Sequence, residues 1–351
     1  MVASLFEGKR ILITGGTGSL GQVLTRRLLT GSEGVPESVT VFSRDEAKQH
    51  YMRLDFMHRA SATDEVIFEN SRQRLKFTIG DVRDYSSLAR AVRDSDIVFG
   101  AAALKQVPSC EYFPWEASRT NIEGAANLVR AISEMDLPVE TVVGISTDKA
   151  CKPVNVMGMT KAIQERVFIE GNIQRPQTRF VCVRYGNVLA SRGSVVPLFL
   201  DQIAAGGPVT ITTVDMTRFL LTLEDAVDTI FAAVRSAAPG DTYIPRCASA
   251  KMTDLAANLI GDRDIETVIT GIRPGEKVHE ILVSEEEAAR TVDAQEGYFA
   301  VRPMLPELAE PVREPAFVGE YSSANHLMGA AELADFLRRK IPEALAQQPL
   351  A

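Results

Sequence analysis

Short, nearly continuous apolar runs rich in β-branched residues punctuate the first half of the chain: RILIT (10–14), SVTVF (38–42), LKFTI (75–79), DIVFG (96–100), ETVVGIS (140–146) and RFVCVRY (179–185). Segments of helix length separate them. Strands that are apolar on both faces and alternate with helices predict a parallel sheet covered on both sides, the Rossmann-like doubly wound α/β architecture. Beyond Tyr185 the rhythm shortens into PVTIT (208–212), a helical LEDAVDTIFAAVRSA (223–237), DTYIP (241–245) and a closing AAELADFLRRKI (330–341). These pieces predict a smaller C-terminal α/β substrate lobe over the carboxyl ends of the strands, where open α/β sheets bind ligands. Residues 1–186 are expected to form the dinucleotide-binding domain with the catalytic residues. Residues 187–351 are expected to form mainly the substrate lobe, with some segments returning to the first core.

Composition narrows the class. A chain of 351 residues with 45% hydrophobic content can bury a large core. The four cysteines (Cys110, Cys151, Cys182, Cys247) include no CxxC pair and the four histidines no HxH or HExxH, so neither a disulfide framework nor a metal site is indicated. Net charge is −8 with the signs interspersed, which argues against a nucleic-acid surface. The start lacks a signal-peptide pattern and no apolar run is long enough for a bilayer. A cytoplasmic protein with no membrane partner is expected.

TGGTGSLGQVLTRRLL follows the first strand, with Gly15, Gly18 and Gly21 opening a helix. Glycines before a helix N-terminus let backbone N–H groups approach a pyrophosphate, and the dipole favours the anion. Gly15, Thr17, Gly18, Ser19, Leu20 and Gly21 are therefore expected to hold a dinucleotide. At the end of the second strand, Ser43 and Arg44 suit a 2′-phosphate, favouring NADP over NAD, although Asp45 beside them could serve a ribose 2′-OH. After the third strand, Asp81 and Val82 are placed to edge an adenine, or Asp81 caps the helix that begins near Tyr85.

The fifth strand delivers Thr147, Asp148 and Lys149 into the same cleft, and a helix bearing Lys161 follows. Acid, base and cation together exceed what a turn requires. Short-chain dehydrogenases carry a Tyr four residues before this Lys, where this chain has Met157.

TGGTGSLG, SRDE, GDVRD, AALKQVPSCE, STDKA, VMGMTK, RYGNVLASRGSVVP, MTRF and RPGEK together resemble the nucleotide-sugar 4,6-dehydratases of the extended short-chain dehydrogenase/reductase superfamily. The resemblance is to the branch acting on UDP-N-acetylglucosamine in surface-polysaccharide and flagellin-glycan pathways, and it extends to EYSSAN (320–325). It implies hydride transfer from sugar C4 to tightly bound NADP, loss of the C6 hydroxyl after removal of the C5 proton, and return of the hydride to C6. Asp148 would protonate the departing hydroxyl. Lys149, an amine tuned towards neutral pH by burial and its neighbour's charge, would take the C5 proton.

The catalytic set implied is Thr147, Asp148, Lys149, the Met157 position and Lys161. Some members of the resembled family carry Met where others carry Tyr, and a thioether accepts no proton. Asp148, helped by Thr147 or water, then deprotonates the C4 hydroxyl, and Lys161 holds the nicotinamide ribose. Met157 is otherwise core filler. Ala101, Ala102, Ala103 and Tyr185 complete the cofactor surface. Lys105, Asn121, Asn187, Val195, Arg218, Arg273 and Glu276 would bind the UDP-sugar, guanidinium forks matching a diphosphate. ITTVD (211–215) stands before MTRF where family members commonly carry Asp-Pro.

The soluble Met-bearing branch tilts the expectation towards C5 inversion. A UDP-sugar 4-epimerase is the alternative enzyme, although epimerisation needs no C5 base. A degenerate NADP(H)-binding module is the alternative outside catalysis. Apolar faces at 45–61 and 115–134 and the resemblance point to a homo-oligomer, a dimer or hexamer.

Overall fold

The six predicted strands form: β1 (Arg10–Thr14), β2 (Ser38–Ser43), β3 (Leu75–Ile79), β4 (Ile97–Gly100), β5 (Thr141–Ile145) and β6 (Arg179–Val183). The computed structural model, which describes residues 4–57, 72–189, 194–294 and 297–346, joins them in parallel in the order 3-2-1-4-5-6. The order reverses between β1 and β4, and the crevice at that switch point is where a doubly wound sheet takes its ligand. Helices Ser19–Thr30 and Leu223–Ser236 cover one face through Leu24, Leu28, Val227 and Ile230. Helices Tyr85–Val92, Gly124–Glu134 and Val156–Gln174 cover the other through Leu88, Leu128, Ile132 and Phe168.

Gly144, inside β5, is explained by this packing. A Cβ there would collide with the Phe168 ring, so the glycine seats a buried aromatic whose burial contributes about 1.5–3 kcal/mol.

The second half adds β7 (Asn187–Val188), β8 (Val209–Ile211), β9 (Thr217–Leu221), β10 (Thr242–Pro245), β11 (Ala248–Lys251), β12 (Thr267–Ile269), β13 (Ile281–Val283), β14 (Thr291–Ala294), β15 (Tyr298–Val301) and β16 (Tyr321–Ser322). Two pieces expected in the smaller lobe belong instead to the large one. DTYIP is β10, which pairs in parallel with β6 and carries β15 and β14 antiparallel beyond it, making a nine-stranded sheet. The Leu223–Ser236 helix packs on that sheet because its apolar side matches the first core.

The second lobe has its own core, built from helices Val195–Ala204, Met252–Ile260 and the closing Ala330–Ala346 through Phe199, Leu255 and Leu333. Of the faces expected to pair with another subunit, residues 58–61 lie outside the described ones. Gly124–Glu134 buries its apolar side and shows an Arg130–Glu134 ion pair outside, whereas Tyr112, Phe113 and Trp115 are exposed.

Candidate active site

The glycine loop is shaped by close approach. Gly15 has φ +67°, and a Cβ on it would lie 2.7 Å from the Ala102 backbone at the end of β4. Gly21 lies against Gly16, where a Cβ would clash, so it seats the helix on its own loop. Gly18 begins the helix with no side-chain cap. Uncapped first-turn N–H groups make an anion site.

A cavity of about 370 Å³ opens there, lined by Gly15, Thr17, Gly18, Ser19, Ser43, Arg44, Asp81, Val82, Ala102 and Ala103. Leu20, Ala101 and Tyr185 do not line it and pack with the first core. The cradle that added Cβ atoms would fill, the uncapped helix and the cations at the far end fit a dinucleotide.

At that far end Ser43 accepts from Gln49 Nε2 (3.1 Å), and Arg44, half exposed, lies 3.5 Å from Asp81. Asp45 lines the cavity as well, where it accepts from the Lys48 N–H (3.0 Å) and pairs with Lys48 Nζ (3.0 Å). Lys48 also lines the cavity, a cation that sequence reading passed over.

Asp81 does not cap the next helix; Asp84 does, accepting from the Ser87 N–H. The Asp81 carboxylate is taken by Arg83 at 2.6 and 2.8 Å. Burial alone would raise its pKa, but the hydrogen bonds and charge of Arg83 outweigh it and hold it below the ordinary value.

Lys105 and Gln106, after β4, line this cavity and a second one of about 430 Å³, so the two form one cleft. Asn121 lines neither. It is buried in a π-helical turn, Arg119–Glu123, and bonds Leu104 N (2.8 Å), Leu104 O (3.0 Å) and Thr160 Oγ1 (2.9 Å). The expected substrate contact is thus a clamp on the loop that presents Lys105.

The turn expected to be catalytic, Asp148–Ala150, starts at Thr147 just after β5 ends. Its shape needs Gly158, because a Cβ there would strike the Lys149 carbonyl. Asp148 is 1% exposed; Oδ1 accepts from Thr147 Oγ1 (2.7 Å) and Lys149 Nζ (3.1 Å), while the buried Oδ2 has no partner. Lys149 Nζ also lies 3.2 Å from Glu280 Oε1. Burial would lower the lysine's pKa, yet the Asp148 and Glu280 carboxylates together raise it above the ordinary value. Tuning towards neutrality is therefore corrected: Lys149 rests as an ammonium.

Lys161 is buried and donates to the Ile145 carbonyl (2.5 Å) and Gln164 Oε1 (2.6 Å), bracing the end of β5. Burial lowers its pKa to about 8. It lines neither cavity, nor does Met157, which is 4% exposed and packs with Cys110 and Ala117.

The second cavity brings together Lys105, Lys149, Asn187, Val195, Arg218, Arg273 and Glu276 as expected, and adds Asn155, Ser194, Lys277 and Glu280. Five cations (Lys105, Lys149, Arg218, Arg273, Lys277) face two acids (Glu276, Glu280), a positive cleft on an acidic chain that suits a diphosphate. Buried oxygens without partners at Asn187, Ser194, Glu276 and Glu280 call for donors such as sugar hydroxyls. Arg218 is partly spent on the wall, donating to Thr217 O (2.7 Å) and Val278 O (3.1 Å). Of the loop SRGSVVP, residues 191–193 lie outside the described ones. Among the described residues, no group of three or more His, Cys, Asp or Glu is arranged for a metal.

A model of a polysaccharide biosynthesis protein family matches residues 11–302. The chain is 42% identical over 304 residues to a UDP-N-acetylglucosamine 4,6-dehydratase (inverting) of Campylobacter jejuni, covering 86% of this chain and 85% of that one. It is equally 42% identical over 299 residues to a UDP-glucose 4-epimerase of Rickettsia conorii, covering 84% and 83%. The solved structure of Pen from Bacillus thuringiensis superposes with a TM-score of 0.83 at 31% identity, over 96% of this chain and 99% of that one. More distant structures of the same fold, 19–21% identical, contain NAD.

Proposed function

Because the chain belongs to this polysaccharide biosynthesis family, in the extended short-chain dehydrogenase/reductase group of nucleotide-sugar dehydratases and epimerases, we propose that it is an NADP-dependent, C5-inverting UDP-N-acetylglucosamine 4,6-dehydratase. The product would be a UDP-2-acetamido-2,6-dideoxy-4-hexulose. The observation that carries the reading is the Asp148–Lys149 pair at 3.1 Å: Lys149 lines the cationic cleft, and Asp148, which does not line it, keeps its second carboxylate oxygen buried and without a partner. Dehydration across C5 and C6 needs an acid and a base side by side; exchange of configuration at C4 needs no C5 base. That difference favours the dehydratase over the epimerase named among equally similar relatives.

Gly15, Gly18 and the uncapped helix would hold the pyrophosphate, and Arg44 with Lys48 the 2′-phosphate, since Asp45 is occupied by Lys48. A dinucleotide held there would supply the hydride chemistry, as acceptor from C4 and donor to C6.

The residues move the protons. Asp148 Oδ2 takes the C4 hydroxyl proton and later delivers it to the departing C6 hydroxyl, leaving as water. Once Asp148 is neutral, Lys149 has lost one of the two charges that keep it protonated. It then releases a proton through the cleft, to which its side chain is 23% exposed, and takes the one on C5; as the hydride returns to C6, a proton from the cleft is delivered to the opposite face of C5, which inverts it. Arg273 and Lys105 would bind the diphosphate and Glu276 a ribose hydroxyl.

The test is incubation with UDP-N-acetylglucosamine in deuterated water, with no cofactor added, followed by mass spectrometry and proton NMR. Loss of one water with deuterium at C5 is expected, and ring couplings report inversion. A C4 epimer without loss of water would give the epimerase reading instead. Unchanged substrate beside bound NADP(H) would favour a cofactor-binding module.

A further inference from the structure

Glu280 is 3% exposed and immediately precedes β13 (Ile281–Val283), 131 positions after Lys149. Its Oε1 lies 3.2 Å from Lys149 Nζ and 3.8 Å from Arg218 Nε, and its Oε2 is buried without a partner on the cleft wall. Its backbone is fixed: Glu280 N–H donates to Ser323 Oγ (2.9 Å), which exchanges a hydrogen bond with Thr217 Oγ1 (2.7 Å). A buried carboxylate with one oxygen unsatisfied costs free energy unless a donor arrives.

We propose that Glu280 is a positioning residue, which clamps the Lys149 ammonium against Asp148 from the segment ahead of β13 and keeps its free oxygen for a hydroxyl or amide N–H of the sugar. The groups facing Lys149 are Asp148 on its own turn, Glu280, and the cations Arg218 on β9 and Lys277 in the adjoining loop. The two acids hold the proton on Lys149 and the two cations oppose it. A substrate donor on Oε2 draws charge from Glu280 and loosens that hold. The clamp deepens the dehydratase reading and rests on it for its purpose, but its geometry is measurable without turnover.

The experiment is labelling of Lys149 by dinitrofluorobenzene, read by mass spectrometry of the peptide and normalised to the exposed Lys251. At about pH 9, Glu280→Gln should label about tenfold or more faster than the unmodified protein, because losing one flanking charge lowers the lysine's pKa by about one unit. Glu280→Asp, which keeps the charge, should stay within about threefold of the unmodified protein. Equal rates for Glu280→Gln and the unmodified protein would overturn the proposal. If Glu280→Gln does not fold, Glu280→Ala is used with added formate, which should slow labelling again; no slowing counts against the clamp. Absence of turnover would sink the dehydratase reading and leave this result standing.

Discussion

Arg184 and Glu287 meet at 2.7 Å inside the protein, joining the end of β6 to a helix of the C-terminal half. The same guanidinium takes Glu165 at 2.7 and 3.0 Å, and Glu165 in turn accepts from Ser146 Oγ beside the catalytic turn. Burial would raise the pKa of Glu287, but Arg184 brings it down to about 2.

Removing Arg184 should therefore leave buried Glu165 without its cation and Glu287 with only the longer Arg290 contact at 3.4 Å. Arg184→Met is expected to lose about 3–5 kcal/mol of stability in chemical denaturation at neutral pH. The folded pKa of Glu287 is depressed, so its contribution is complete above the ordinary 4.5 and disappears as pH falls towards 2. The gap between the two proteins should narrow across that window. A gap independent of pH would show that Arg184 acts by packing alone.

A second pH dependence has the opposite cause. Lys161 is buried, which lowers its folded pKa to about 8 from 10.5. The unfolded chain then binds a proton that the folded one lacks between those values, so stability from this group rises as pH rises through the window. Relative to Lys161→Met, the unmodified protein should gain about 3 kcal/mol between them. Parallel stability curves would mean that the two hydrogen bonds of Lys161 keep it charged.

Local signals made much of this legible. Continuous apolar runs gave β1–β6, the glycine spacing gave the loop, and STDKA gave the turn that carries Asp148 and Lys149. Glu280 and the charge of Lys149 escaped because they depend on each other across 131 positions, where no periodicity connects them. The signal for Glu280 was an acid just ahead of the apolar ILV, three residues beyond RPGEK. Asn121 misled for a related reason: a polar residue near a cleft reads as a contact until the π-helical turn aims it at the Leu104 backbone. DTYIP was ambiguous because a short strand does not declare its partner.

Cofactor choice should follow Arg44. Charge-assisted hydrogen bonds are worth about 1.5–3 kcal/mol, so Arg44→Ala should weaken NADP binding about 10- to 100-fold and leave NAD binding nearly unchanged. Isothermal titration with both dinucleotides measures it. Equal loss for the two would assign Arg44 to holding Asp81, its neighbour at 3.5 Å.

Met157 allows the sharpest separation of chemistry from packing. Its side chain is buried with Cys110 and Ala117, and Leu104 and Val107 pack against the group. Met157→Leu conserves volume and polarity, so stability should change by less than about 1.5 kcal/mol and turnover should stay near that of the unmodified protein. Met157→Tyr restores the residue that short-chain dehydrogenases carry but adds volume and a hydroxyl to an apolar cluster, at a cost of about 1–3 kcal/mol. On the proposed role of Asp148 at the C4 hydroxyl, the new phenol should not speed turnover. A faster Met157→Tyr enzyme would mean that the C4 proton transfer limits the rate and that the ring reaches the cleft, and Asp148 would then keep only the role of acid at C6.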